Sequence, residues 1–224
     1  MMKTETSITT QQENRLCDLF REGLRTLGFS KEEAQEVIKA GGKMQEQIKL
    51  ILQKLAMVDQ RFGSAIKEFE FTVPADYEHD SQLDTSAEKT KKLKTTYSFN
   101  DELTSKNFAK ATNKLVPGKT YKVKIFPILT TVTSGDCINF LSKQNAILVG
   151  GQGVTLLQEN KSDAFPFDKW TVSFDQKDSL WKDASGHHRV PSVDADSDGD
   201  FNFNLGYFED DWLDGYCLLC FCDK

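Results

Sequence analysis

Seven residues near the C-terminus, Asp194-Ala195-Asp196-Ser197-Asp198-Gly199-Asp200, set oxygen donors at alternate positions around a glycine. That is the first half of a calcium-binding loop. The twelfth position from Asp194 is Leu205, where an EF-hand needs a bidentate glutamate, and 201–207 alternates as a strand. The segment therefore reads as an acidic turn, with no metal assigned to it. Cys217, Cys220 and Cys222, with His187 and His188 upstream, have zinc-ligand chemistry by type. Leu218 and Leu219 separate the first two, and the run is apolar and strand-like, so buried small hydrophobes are the expected role. Cys220 and Cys222 would share one face of that strand and Cys217 the other. Cys137, near a helix start, has the setting that lowers a thiol pKa, but no spacing pairs it with His79, His187 or His188. Gly150-Gly151-Gln152-Gly153 opens a helix after an apolar strand yet lacks the Lys-Ser/Thr ending of a phosphate loop, which makes it a structural turn. A non-enzymatic protein without a cofactor is the expectation. A thiol- or histidine-dependent enzyme of unknown substrate is the alternative.

Composition narrows the setting. The chain has 224 residues, 38% of them apolar and 11% aromatic, enough for a core and too many for global disorder. No run approaches the roughly 20 apolar residues of a membrane span. Five cysteines, an odd number, make no disulfide framework. The first residues, MMKTETSITTQQEN, hold no apolar stretch for export, so the expected location is cytoplasmic by default, with surface display only by another route. Of 28 basic and 34 acidic residues, 192–224 holds nine acids and one base, Lys224. Such a surface repels phosphate backbones, which argues against nucleic acid as a partner.

Three segments follow from the patterning. Residues 1–58 predict a helical hairpin: Thr10 and Glu13 form one capping box, Ser30 and Glu33 a second, and Leu16, Leu24, Ile48 and Leu55 lie on apolar stripes. Two short helices bury too little alone, so the hairpin should pack on another domain or copy, and self-association is a further reading of the chain. Residues 59–118 predict an irregular connection with short strands at 69–73 and 97–99, a long polar link over 75–95 and a short helix over 107–115. Residues 119–224 predict a strand at 121–126, a helix capped by Ser134, a second helix over 154–160, and strands at 170–174, 190–193, 201–207 and 217–222. Strand, helix, helix, then consecutive strands gives an α+β fold with an antiparallel sheet.

That order, with Trp181-Lys182-Asp183-Ala184-Ser185-Gly186, Trp212-Leu213-Asp214-Gly215-Tyr216-Cys217 and the terminal strand ending at Cys222-Asp223, resembles the C-type lectin fold. The resemblance covers 119–223 and implies a last strand returning beside the first. The calcium-site Glu-Pro-Asn type motif is missing, so calcium-dependent sugar binding is not implied. In 192–216, 17 of 25 residues are Asn, Asp, Ser, Gly, Tyr or Ala, with no Lys, Arg, Gln or Thr. Phe201, Phe203 and Leu205 alternate with small polar residues, as anchors beneath an adaptable hydrogen-bonding face. This segment resembles the variable region of proteins diversified by retroelements, and the chain's ending resembles uncharacterised proteins of candidate-phylum bacteria. The resemblance implies a receptor-like protein that binds a protein or other macromolecule. Its ligand-facing residues would be Asp194, Asp196, Ser197, Asn202 and Asn204, then Tyr207, Asp210, Asp211, Asp214 and Tyr216.

Overall fold

Alternation of apolar residues with lysine in Tyr121-Lys122-Val123-Lys124-Ile125 demands a strand with one dry face, and in the computed structural model this run lies within β3 (Thr120–Pro127). The structure describes residues 60–92 and 96–224, with Arg15, Asp18, Glu22 and Ser30. The expected hairpin of 1–58 therefore lies almost entirely outside the described residues. Residues 58–224 form one of the chain's two units and are described by themselves.

The fold is mixed α+β. Before β3 come β1 (Lys67–Thr72), α1 (Gln82–Lys92) and β2 (Thr96–Phe99). After it come β4 (Val132–Thr133), α2 (Ser134–Lys143), α3 (Gly150–Asn160) and β5 (Lys169–Val172). The chain ends with β6 (Arg189–Ala195), β7 (Phe201–Tyr207), β8 (Asp211–Trp212) and β9 (Tyr216–Asp223). Seven strands make one sheet in the order β1-β3-β9-β5-β6-β7-β2, and β4 pairs with β8 apart from it. Pairing is antiparallel except at β5–β9 and β2–β7.

Register sorts the side chains onto two faces. One face carries Val123, Phe221, Val193, Phe203 and Leu205 and is covered by α3, whose Gly151 lies against Pro191, Leu83 and Leu103. The other is covered over β3 and β9 by α2, where Phe140 stacks edge-on against Phe126 at 5.0 Å. Between those covers Cys217 to Cys222 are all buried, so β9 is dry on both faces.

Several local expectations change. The link over 75–95 contains helix α1, which buries Leu83, Gln82, Ser86 and Thr90. The expected helix at 107–115 is absent. Its backbone is held instead by tertiary bonds from Thr112 N–H to Asp175 at 3.0 Å, Asn113 to the Leu148 carbonyl at 3.1 Å and Gln152 to the Phe108 carbonyl at 3.0 Å. Thr133, not Ser134, caps α2: its hydroxyl accepts the Asp136 N–H at 3.2 Å, and the Asp136 carboxylate accepts the Thr133 N–H at 3.1 Å. Helix α3 begins at Gly150, so the glycines lie inside it rather than before it.

Asp175 ties this region together. Its buried carboxylate accepts N–H groups of Thr112 and, at 2.7 Å, Gln176. Burial raises its pKa against the opposing pull of those bonds. The stability it contributes is complete below its unfolded pKa of about 3.9 and is lost as pH rises through the folded value. Asp175→Asn does not titrate, so its melting temperature minus that of the parent should increase from about pH 4 to neutrality. Melting scans across that range check this, and a flat or shrinking difference would contradict it.

Candidate functional site

The face that α2 covers is left partly open over β5, β6, β7 and β2. Strict register there aligns Tyr216 with Trp170, Trp170 with Asp194, and Asp194 with Asn202, which in turn lies opposite Ser98 of β2. Five strands thus contribute one residue each to a single row. Ser98 is exposed and the other four are half-buried. The Ser98 hydroxyl donates to Asn202 Oδ1. Asn204 follows on the same face, its Oδ1 accepting the Leu205 N–H at 2.8 Å and the Asn100 amide at 3.3 Å.

Trp212 walls one end of the row. Its ring lies 5.2 Å from Tyr216 and 5.4 Å from Phe174, both edge-on, and its Nε1 donates to Ser134 Oγ at 2.7 Å. It crosses β7 at Gly206, where an added Cβ would come within 2.7 Å of the indole. Only glycine admits that approach. Trp212 is 3% exposed, so the loop carrying Asp210, Asp211 and Asp214, all exposed, is pinned by a buried anchor.

The β6–β7 turn flanks the row beside Asp194 and Asn202. Asp196 Oδ1 accepts the N–H groups of Asp198 at 2.9 Å and Asp200 at 3.0 Å, while Gly199 takes a φ of +86°. Asp196 is therefore a turn former, and Ser197 stands exposed at the tip. A cleft of about 120 Å³ opens between Asp194, Asp196, Asp200, Phe201 and Asn202. Burial, then the neighbouring carboxylates of Asp196 and Asp168, raises the pKa of Asp194. Among the described residues no group of three or more His, Cys, Asp or Glu is arranged to hold a metal ion.

The structure thus brings Asp194, Asn202, Asn204 and Tyr216 onto one face and sets Tyr207 apart. Tyr207 has the parity of Phe203 and Leu205 and pairs with Arg189, whose guanidinium lies 3.9 Å from its ring centre. His187 meets the same ring edge-on at 5.4 Å. Beside it, hydrogen bonds from His188 and Lys177 outweigh burial and hold Glu209 down at about 2. The sequence reading missed Trp170 and Ser98, because membership of the row depends on which strands become neighbours. Alternation within 169–172 does put Trp170 opposite in face to the buried Thr171.

Three residues with catalytic chemistry by type, Cys137, His79 and His188, are buried or hydrogen-bonded. Cys137 is fully buried, its thiol pushed up to about 12 by burial and by Asp136. Nδ1 of His79 bonds to the Tyr77 hydroxyl and Nδ1 of His188 to Glu209, while His79 Nε2 is buried without a partner. A larger cleft of about 360 Å³ lies between α1 and α3. Within it the Glu159 carboxylate is already taken up by Gln82, Ser86 and Lys89. Among the described residues no helix is long and apolar enough to cross a membrane. No family model, curated protein or solved structure matches the chain.

Anchors and row residues should separate by stability. Trp212→Ala should cost about 3–5 kcal/mol, the range for removing a large buried aromatic. Asn202→Ala and Tyr216→Ala should each cost about 1 kcal/mol or less, since half-buried positions lose little packing. Denaturant titration of the three variants checks the order; a Tyr216 variant less stable than the Trp212 variant would reverse the assignment of anchor and face.

Proposed function

We propose that this chain is a ligand-binding protein whose C-type-lectin-like domain, residues 119–224, presents the row Tyr216–Trp170–Asp194–Asn202 and its flanking loops to a protein ligand. The single observation that carries the reading is the row itself. It joins residues from separate strands, half-buried and rigidly spaced, on a part of the sheet that no helix among the described residues covers. Two aromatic rings beside Asp and Asn give large contact area with adaptable hydrogen bonding, the composition of antibody-like surfaces. The lectin-like assignment is supported by the antiparallel return of β9 beside β3, with α2 and α3 between β3 and β5.

Diversification of 192–216 belongs to the same proposal. Asn202, Asn204, Ser197 and Tyr216 are of the residue types that adenine-directed mutagenesis of Asn-type codons produces, whereas Phe201, Phe203, Leu205 and Trp212 are the buried anchors beneath them. Such a division lets the surface vary while the fold persists. Neither a metal nor a cofactor enters the binding.

Sequencing the 3′ coding end and its flanks in a population of the source cells tests the reading. The expected result is substitution concentrated at codons for Ser197, Asn202, Asn204 and Tyr216. The codons for Phe201, Phe203 and Trp212 should be constant, with a near-identical template copy beside a reverse transcriptase gene. A uniform coding end with no template copy would overturn diversification.

A further inference from the structure

The cleft between α1 and α3, about 360 Å³, falls within the size range of small-molecule sites. The polar network along it has one member left incomplete. Gln82 of α1 is only 5% exposed, and its Nε2 donates to Glu159 Oε1 at 2.9 Å and to Ser86 Oγ at 3.0 Å. A carboxylate accepts and does not donate, so the amide nitrogen must face Glu159 and the amide has one orientation. Gln82 Oε1 is thereby turned away from the network, and no group among the described residues donates to it. That oxygen is not sealed off, since the fully enclosed unpaired atoms belong to His79, Thr171, Ser173 and Arg189. Gln82 lines the cleft, and an acceptor held there without a donor costs free energy until one is supplied.

The rest of the lining says which donor fits. Its side-chain nitrogens are already engaged: Lys89 Nζ is held on Glu159 Oε2 at 2.6 Å, and Asn160 Nδ2 donates to the Leu156 carbonyl at 2.9 Å. Acceptors remain. Asp76 is exposed on the rim and has no partner among the described residues, and Glu78 beside it receives only the Ser81 hydroxyl at 3.3 Å. Three carboxylates thus face one ammonium across the cleft. The last turn of α3, which ends there, carries no basic residue to offset the negative end of its dipole. Pro74, Tyr77 and Leu156 add apolar surface.

We propose that this cleft binds a primary ammonium group on a short carbon chain, with Gln82 Oε1 and the Asp76 and Glu78 carboxylates as its acceptors. An ammonium donates three hydrogen bonds and accepts none, which matches a lining whose nitrogens are used and whose oxygens are open. An anion would meet the same carboxylates as repulsion. A neutral alcohol would offer one donor and no charge.

The test compares three probes of one carbon skeleton on the full chain at constant ionic strength: 1,4-diaminobutane, 1,4-butanediol and butanedioate. Amide chemical shifts, including the Gln82 side-chain NH₂, are followed by NMR. The diamine should give a single saturable shift centred on Gln82, Thr85 and Glu159, and the diol and dianion none at the same concentrations. Asp76→Asn combined with Glu78→Gln, both at exposed positions, should raise the diamine Kd at least about tenfold, the scale for losing hydrogen bonds to charged groups. Gln82→Met, which keeps the length and removes the oxygen, should weaken it likewise. No saturable shift with the diamine would overturn the proposal. So would equal binding of the diol or the dianion, a response centred on 196–214 instead, or an unchanged Kd in either variant. The probe comparison and the rim variant carry the answer even if Gln82→Met fails to fold.

Discussion

A strand with six consecutive buried residues is dry on both faces and needs cover above, cover below and a partner on each side. Cys217–Cys222 in β9 is that strand, and its needs organise the domain. Its partners are β3, which precedes the helices α2 and α3, and β5, which follows them. The connection from β3 to β5 supplies both covers: α2 lies on one face, and α3 reaches the other after Ile147 bridges to Phe221. Among the described residues α2 spans only the β3–β9 half of its face; beyond β9, Val172 and Ser192 are still buried there, while Trp170, Asp194 and Asn202 are half-buried. The half-buried row lies beyond the edge of that helix.

Two parts of one sheet face are thereby given different chemistry. Under and beside α2 the face holds Cys220, Cys222, Lys122 and Lys124, partly or fully withdrawn from solvent. Beyond it the same face holds Tyr216, Trp170, Asp194 and Asn202, all half-buried. Trp212 marks the boundary, anchored through Ser134 to α2 and through Gly206 to β7. The Asp196 carboxylate holds the 196–200 turn through its backbone, and the buried indole of Trp212 holds the 210–214 loop.

Much of this was legible in the sequence where alternation was strong. The strands β3 and β7 were marked by period-two patterns and β9 by a continuous apolar run, and burial of Phe201, Phe203, Leu205 and Trp212 follows from the alternation. The helix Gln82–Lys92 was not legible, because it buries Gln82, Ser86 and Thr90 beside Leu83 and so lacks an apolar stripe. Segment 107–115 looked helical, yet side-chain bonds from distant residues fix it as an irregular strap, which local propensity does not encode. The row was half legible. Asp194, Asn202 and Tyr216 belong to one segment of biased composition, whereas Trp170 and Ser98 join them only through the sheet order. Tyr207 has the right composition and the opposite strand parity.

The claim on which the rest depends is that β9 holds the scaffold while the row is dispensable to it. Amide hydrogen exchange measures this directly, residue by residue, in the parent and in the variant with Asp194, Asn202 and Tyr216 all replaced by alanine. Amides of Leu218, Leu219, Cys220 and Phe221 should be the slowest of the domain in both proteins. Those of β1, β2 and the 196–200 turn should open at lower free energy. Exchange of β9 as fast as the edge strands, or loss of its protection in the triple variant, would contradict the account.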